Sequence, residues 1–203
     1  MSIEIKVSKR PISYKKAIRY LEKRVSEIKE KRNCELLWIL EHPLTFTSGI
    51  RFNKNEILDK NIKIIKTKRG GKITLHNPGQ KIIYFVINLN NRKRDIRKLI
   101  KAIEKTVIEF LFIFKIKAKE DKDKIGIWVN EKKIAAIGIR VSRWIAFHGF
   151  SINISNNLKD YLKIIPCGLD NTKITSIYSE KKFIPKNYEK KIIDILIRNI
   201  NKI

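Results

Sequence analysis

Residues 125–154 read IGIWVNEKKIAAIGIRVSRWIAFHGFSINI. Three runs rich in isoleucine, valine, aromatic and small residues lie within them, at 125–129, 133–141 and 144–154. The breaks fall at Asn130-Glu131, which suits a hairpin tip, and at Ser142-Arg143, a second tight connection. Consecutive strands with such short joins pair antiparallel, because a parallel pair needs a crossover of roughly a dozen residues or more.

Outward from this core the pattern mixes helices with strands. Ala17, Ile18, Leu21, Val25 and Ile28 fall at helical spacing within residues 14–31. Ile96, Leu99, Ile100, Ile103, Val107, Ile108 and Leu111 do so within residues 95–114, and a terminal helix is expected over 188–200. Strands are expected at 36–40, 62–67, 73–76 and 82–89. Residues 44–60 look like a loop with a little local order, and Asn77-Pro78-Gly79 is a turn by composition. There is no repeat, linker or composition break. The expectation is one α+β domain over residues 1–203, with mixed or antiparallel sheets flanked by helices.

Of the 203 residues 43% are hydrophobic, enough for a substantial core. No apolar run approaches the ~18 residues that span a bilayer, and residues 1–6 carry no apolar signal segment. Two cysteines make no disulfide framework. A cytoplasmic protein with reduced thiols is expected. The net charge of +26 is spread along the whole chain beside abundant isoleucine and asparagine, a bias that AT-rich codons explain. No zinc-finger spacing, RNA-binding aromatic signature or basic heptad is present, so nucleic acid is not the expected partner. An acidic protein suits the same charge.

Cys167 is the residue that stands out for chemistry. It lies in Ile165-Pro166-Cys167-Gly168-Leu169, where proline fixes φ before the thiol and glycine leaves space after it. Cys34 reads as a small residue entering a strand, and His42, before a proline, as a turn residue. His76 and His148 sit beside glycine-rich or glycine-adjacent stretches that admit a ligand, although each also suits a purely structural role. The three histidines lack metal-site spacing, so no metal is expected. A cysteine protease needs an oriented histidine base, and neither context matches a protease signature. Lys133 begins an otherwise apolar strand, and a lysine beside a thiol favours the thiolate. Such a thiolate can take an acyl group from another thiol and pass it to an amine. Thioester exchange is nearly balanced in energy and amide formation is downhill, so the reaction needs no nucleotide. A basic binding module with an inert Cys167 stays open on these residues alone.

Several segments in register resemble the lipoyl(octanoyl) transferase family. They are Arg69-Gly70-Gly71-Lys72-Ile73-Thr74-Leu75-His76-Asn77-Pro78-Gly79-Gln80, Gly126-Ile127-Trp128-Val129, Lys133 through Trp144, His148-Gly149-Phe150-Ser151-Ile152-Asn153 and Pro166-Cys167-Gly168. The resemblance implies a fold similar to the catalytic domains of biotin and lipoate protein ligases. It implies that Cys167 carries the acyl thioester and that Lys133 lowers its pKa and relays protons. It places Arg69, Gly70, Gly71, Lys72, Ile73, Thr74, Leu75 and His76, with Ala136, Ile137, Gly138, Gly149, Phe150 and Ser151, around the substrate. The implied donor is octanoyl-acyl carrier protein. The implied acceptors are lipoyl domains of the E2 subunits of 2-oxoacid dehydrogenases and the glycine cleavage H protein. No cofactor, no membrane and a monomer are expected. Two positions depart from the family: Leu75 stands where an aromatic residue is usual, and Asn77 replaces a glycine. Asparagine tolerates a left-handed backbone, so the turn is expected to survive.

Overall fold

The computed structural model describes residues 2–121, 123–166 and 173–203. In chain order its elements are β1 (Ile3–Val7), α1 (Tyr14–Lys29), β2 (Glu35–Leu40), β3 (Thr45–Ser48), β4 (Ile64–Lys66), β5 (Ile73–His76) and β6 (Gln80–Asn88). Then follow α2 (Ile96–Ile113), β7 (Lys119–Glu120), β8 (Ile127–Val129), β9 (Lys132–Ser142), β10 (Ile145–Asn153), α3 (Ile177–Lys181) and α4 (Glu189–Ile200).

The larger sheet has the order β1-β2-β6-β10-β9-β8-β7. Among the described strands β1 and β2 pair parallel, joined across α1, and the other neighbours in this sheet are antiparallel. The smaller sheet is β4-β3-β5, parallel on one side of β3 and antiparallel on the other. This is the mixed α+β architecture expected.

Alternation along the central strands feeds two cores. Leu36, Trp38, Leu40, Ile82, Tyr84 and Val86 pack against Ala17, Leu21, Val25 and Ile28 of α1. Leu37, Ile39, Ile83, Phe85 and Ile87 point the other way, onto Leu99, Ile103, Val107 and Phe110 of α2 and Ile192 and Leu196 of α4. The unbroken apolar runs Leu36 to Leu40 of β2 and Ile82 to Ile87 of β6 are therefore what a strand covered on both faces requires. Asp95 caps α2 by accepting a hydrogen bond from the Lys98 amide at 3.0 Å.

Both hairpins of the opening stretch exist. Asn130 and Glu131 take φ of 45° and 63°, and Arg143 and Trp144 take 50° and 63°. Two central residues with positive φ make the turn whose twist matches the flanking strands. The second tip is thus Arg143-Trp144, one residue later than expected, because neither residue carries the glycine or asparagine that usually marks it. Residues 44–60 also differ from expectation. They contain β3, whose four residues form the middle of the small sheet. The strand at Ile3–Val7 and the short helix α3 had no distinct sequence signal. Asn77 is not left-handed: that conformation falls on Gly79, with φ of 85°. The Asn77 side chain instead donates to the Asn157 carbonyl (2.9 Å) and Asp160 (3.0 Å) and accepts from Asn156 (3.0 Å). These are bonds a glycine cannot make.

Candidate active site

Residues 69–72 and β5 stand against β9 and β10, and the space between the two sheets is a cavity of about 560 Å³. On β5, Thr74 and His76 face this cavity, and Ile73 borders it. Leu75 is fully buried on the small sheet's other side, with Phe46, Tyr161 and Ile164. Its departure from the aromatic pattern therefore falls in a separate core. Arg69, Gly70, Gly71, Lys72, Ala136, Ile137, Gly138, Gly149, Phe150 and Ser151 all line the cavity, as does Lys133. Residues distant in sequence and expected at one site are thus brought together.

Local bonding explains the shape of the wall. The Arg69 guanidinium is buried, donating to the Gly70 carbonyl and to both the carbonyl and hydroxyl oxygens of Thr47, each at 2.9 Å. The Gly70 amide donates to the Ile139 carbonyl at 3.1 Å, which docks the loop on β9. Gly149 has φ of 158°, and a Cβ there would lie 2.0 Å from the Ile83 carbonyl oxygen. Only glycine lets β10 approach β6 so closely.

Lys133 is 4% exposed. Its ammonium donates to the Ile125 carbonyl at 2.8 Å and lies 5.4 Å from the centre of the Trp128 ring. Gly126 makes the room: a Cβ at that residue, φ 137°, would sit 2.4 Å from Lys133 Cε. The Lys133 amide donates to the Lys173 carbonyl (2.8 Å), and the Thr175 amide donates to the Lys133 carbonyl (3.0 Å). Upstream, the Ile165 amide donates to the Glu56 carbonyl at 2.8 Å, and Ile164 bridges to Ile57. Cys167 and Gly168, between these anchors in sequence, lie outside the described residues.

The histidines are neutral fixtures. His42 is wholly buried, with Nδ1 2.5 Å from the Ile12 carbonyl and Nε2 2.9 Å from the Tyr84 hydroxyl. Because a carbonyl only accepts, His42 donates from Nδ1 and Tyr84 donates to Nε2. Burial pushes His42 down to about 4, against its bond to Ile12. Burial also pushes His76 down to about 3, helped by His42 and Arg69 and opposed by its bond to Gln80. His148 falls to about 3 through burial and the nearby cations Arg69 and Arg140. His148 keeps continuous pairing on both sides, with φ of 71° instead of a bulge.

Several wall residues carried no sequence signal for a site: Tyr14, Tyr84, Ile96, Ile100 and Ile125. Alternation pairs Ile82 with Tyr84 on one face, but it does not say that this face borders a cavity. Among the described residues no group of three or more His, Cys, Asp or Glu is placed to hold a metal ion. None of the described helices is long and apolar enough to cross a membrane.

Residues 13–196 match the family model of the lipoyl protein ligase A/B catalytic domain. The chain belongs to this family. Within the lipoyl protein ligase A/B family, it is 42% identical over 189 residues to an octanoyltransferase of Bartonella bacilliformis, covering 86% of this chain and 78% of that one. It is 39% identical over 202 residues to an octanoyltransferase of Wolbachia pipientis wMel, covering 97% of each. The catalytic domain is accordingly an acyltransferase. Its fold is similar to that of a lipoate-protein ligase A crystallised with ATP, with a TM-score of 0.75 at 14% identity, over 100% of this chain and 85% of that one. It is also similar to a biotin protein ligase from Aquifex aeolicus, with a TM-score of 0.55 at 14% identity, over 99% and 69%.

Proposed function

We propose that the protein transfers an octanoyl group from octanoyl-acyl carrier protein to a lysine of lipoyl domains, through a thioester on Cys167. The observation that carries this reading is the cavity. Ile82, Ile96, Ile100, Ile137, Ile139 and Val141 give it an apolar wall, and Lys133 stands at its lining. Its volume of about 560 Å³ falls in the range of roughly 300–1,000 Å³ usual for small-molecule sites. Each methylene buried there contributes about 0.8 kcal/mol.

The chemistry runs in two halves. The Cys167 thiolate attacks the carbonyl carbon of the carrier thioester; the new C–S bond forms, the carrier C–S bond breaks, and the carrier thiolate leaves and takes up a proton. The amine of the target lysine then attacks the Cys167 thioester. The amide C–N bond forms, the C–S bond to Cys167 breaks, and the amine gives up a proton as the thiolate is restored. Lys133 stabilises the thiolate in both halves and passes the protons. What supports its part is its burial, and the pairing of its backbone with Lys173 and Thr175, six and eight residues after Cys167 in sequence. The donor is already a thioester, so no ATP is consumed, unlike in a ligase of the same fold.

Intact-mass measurement after incubation with octanoyl-acyl carrier protein, without nucleotide, tests this. One octanoyl increment is expected on the unaltered protein and none on Cys167→Ala. No increment on the unaltered protein, or an undiminished one on Cys167→Ala, would overturn the reading. Transfer that requires ATP would point to a ligase instead.

A further inference from the structure

We infer that Gln80 and Asn153 are positioning residues of the acyl-transfer site, a buried amide pair that sets the proton position on His76 and ties Thr175 to the central sheet. Neither side chain has a part in the chemistry above, and the inference rests on that reading only where it concerns transfer rate.

Gln80 opens β6 and Asn153 closes β10, and they are directly opposite in the antiparallel register. Gln80 is 1% exposed and Asn153 is 4% exposed. Asn153 Nδ2 lies 2.9 Å from the Thr175 carbonyl, Gln80 Nε2 lies 2.9 Å from both Asn153 Oδ1 and the Tyr161 hydroxyl, and Gln80 Oε1 lies 2.7 Å from His76 Nδ1.

The polarity of this chain is fixed from one end. A backbone carbonyl can only accept, so Asn153 must turn its amide nitrogen to Thr175. Its oxygen then faces Gln80 and can only accept, so Gln80 turns its nitrogen there. The Gln80 oxygen is left for His76, which must donate from Nδ1. His76 is neutral, and its lone pair therefore sits on Nε2. The wall residue His76 thus presents a hydrogen-bond acceptor from Nε2, dictated by the Thr175 carbonyl three groups away.

The other end of the relay reaches the lysine. Thr175, whose carbonyl accepts from Asn153, donates its amide to the Lys133 carbonyl, and the Lys173 carbonyl accepts from the Lys133 amide. The short parallel pairing that seats Lys133 is therefore held from outside by Asn153. Losing that donor strands a buried carbonyl, an imbalance large enough to displace the segment.

Two measurements test the inference. Nitrogen-15 NMR of histidine-labelled, unaltered protein should show His76 protonated at Nδ1; protonation at Nε2 would overturn it. This reading needs no variant to fold and no activity. Asn153→Asp keeps the shape but, as a carboxylate, has no donor for Thr175. Its octanoylation kcat should fall about tenfold to a hundredfold with KM for the carrier unchanged. Folded Asn153→Asp with the parent kcat, or with a loss confined to KM, would overturn the inference. If Asn153→Asp does not fold, Gln80→Glu serves: its carboxylate should raise the titration of His76, while Tyr14, His42, Arg69 and His148 around it are unchanged. An unmoved titration would overturn the inference. Absence of octanoylation on the unaltered protein would instead sink the proposed function, leaving the NMR result to judge the relay.

Discussion

A buried lysine ammonium carries a desolvation cost that must be offset by partners. For Lys133 the Ile125 carbonyl and the face of Trp128 serve in this way. Neither of these groups carries a charge of its own, and both hold the ammonium where its field can act on a neighbouring anion. Under the proposed mechanism that anion is the Cys167 thiolate. Lys133→Ala should then move the midpoint of the pH dependence of Cys167 alkylation upward by about 1–2 pH units, because an adjacent opposite charge favours the ionised form. Iodoacetamide rates measured from pH 6 to 10, with Cys34→Ala as the common background, report Cys167 alone. An unmoved midpoint would refute the role assigned to Lys133. Gly126 belongs to the same unit, since any side chain there would displace the lysine stem.

At the level of elements, the two hairpins differ in how well their sequences suit their turns. Asn130 accepts a left-handed backbone readily, whereas Arg143 and Trp144 hold φ of 50° and 63° with full side chains. Arg143 is exposed, and its carbonyl accepts from Asn90 at 3.1 Å whatever its side chain. Relief of a left-handed L-residue, about 1–2 kcal/mol, exceeds the entropy cost of glycine, about 0.5–1 kcal/mol, so Arg143→Gly should stabilise the protein by about 0.5–1 kcal/mol, read as a higher denaturant midpoint with an unchanged slope. A lower midpoint would mean that the turn is not strained. Elements differ in the same way in how far their sequences reveal them. Long periodic segments such as α2, and apolar runs such as β6, announce themselves because burial on one face or two demands their composition. β3 does not: Thr45, Phe46, Thr47 and Ser48 carry no run of apolar residues, and they become a strand only through pairing with β4 and β5. The site was legible where several motifs lay in register, as in Arg69 to His76. The relay from His76 to Thr175 was not, because its members are joined by side-chain bonds between ends of strands that sequence order does not connect.

On the scale of the whole molecule, two pH- and salt-dependent properties follow from charge. His42, His76 and His148 are pushed from 6.5 to about 4, 3 and 3 in the folded protein. Between those values and 6.5 the unfolded chain binds more protons, so stability rises with pH across that window. It is complete above about pH 6.5 and is lost as pH falls toward about 3. Urea midpoints should fall steeply over this range, and His148→Phe should flatten the slope; an equal slope in the variant would remove His148 from the account. The net charge of +26 acts at longer range. Acyl carrier proteins are acidic as a class, so under the proposed function opposite fields draw donor and enzyme together before contact. Such steering acts on encounter and is screened within a Debye length, about 10 Å at 0.1 M salt. Hence kcat/KM for octanoyl-acyl carrier protein should fall roughly tenfold between 50 and 300 mM salt while kcat stays level. Octanoyl-pantetheine, an uncharged thioester with the same reacting group, isolates the effect. Its kcat/KM should barely respond to salt, since it enters the same cavity without a charged carrier. An equal salt response for the two donors would place the sensitivity in the chemistry or the fold, and would leave the surface charge without a part in donor capture.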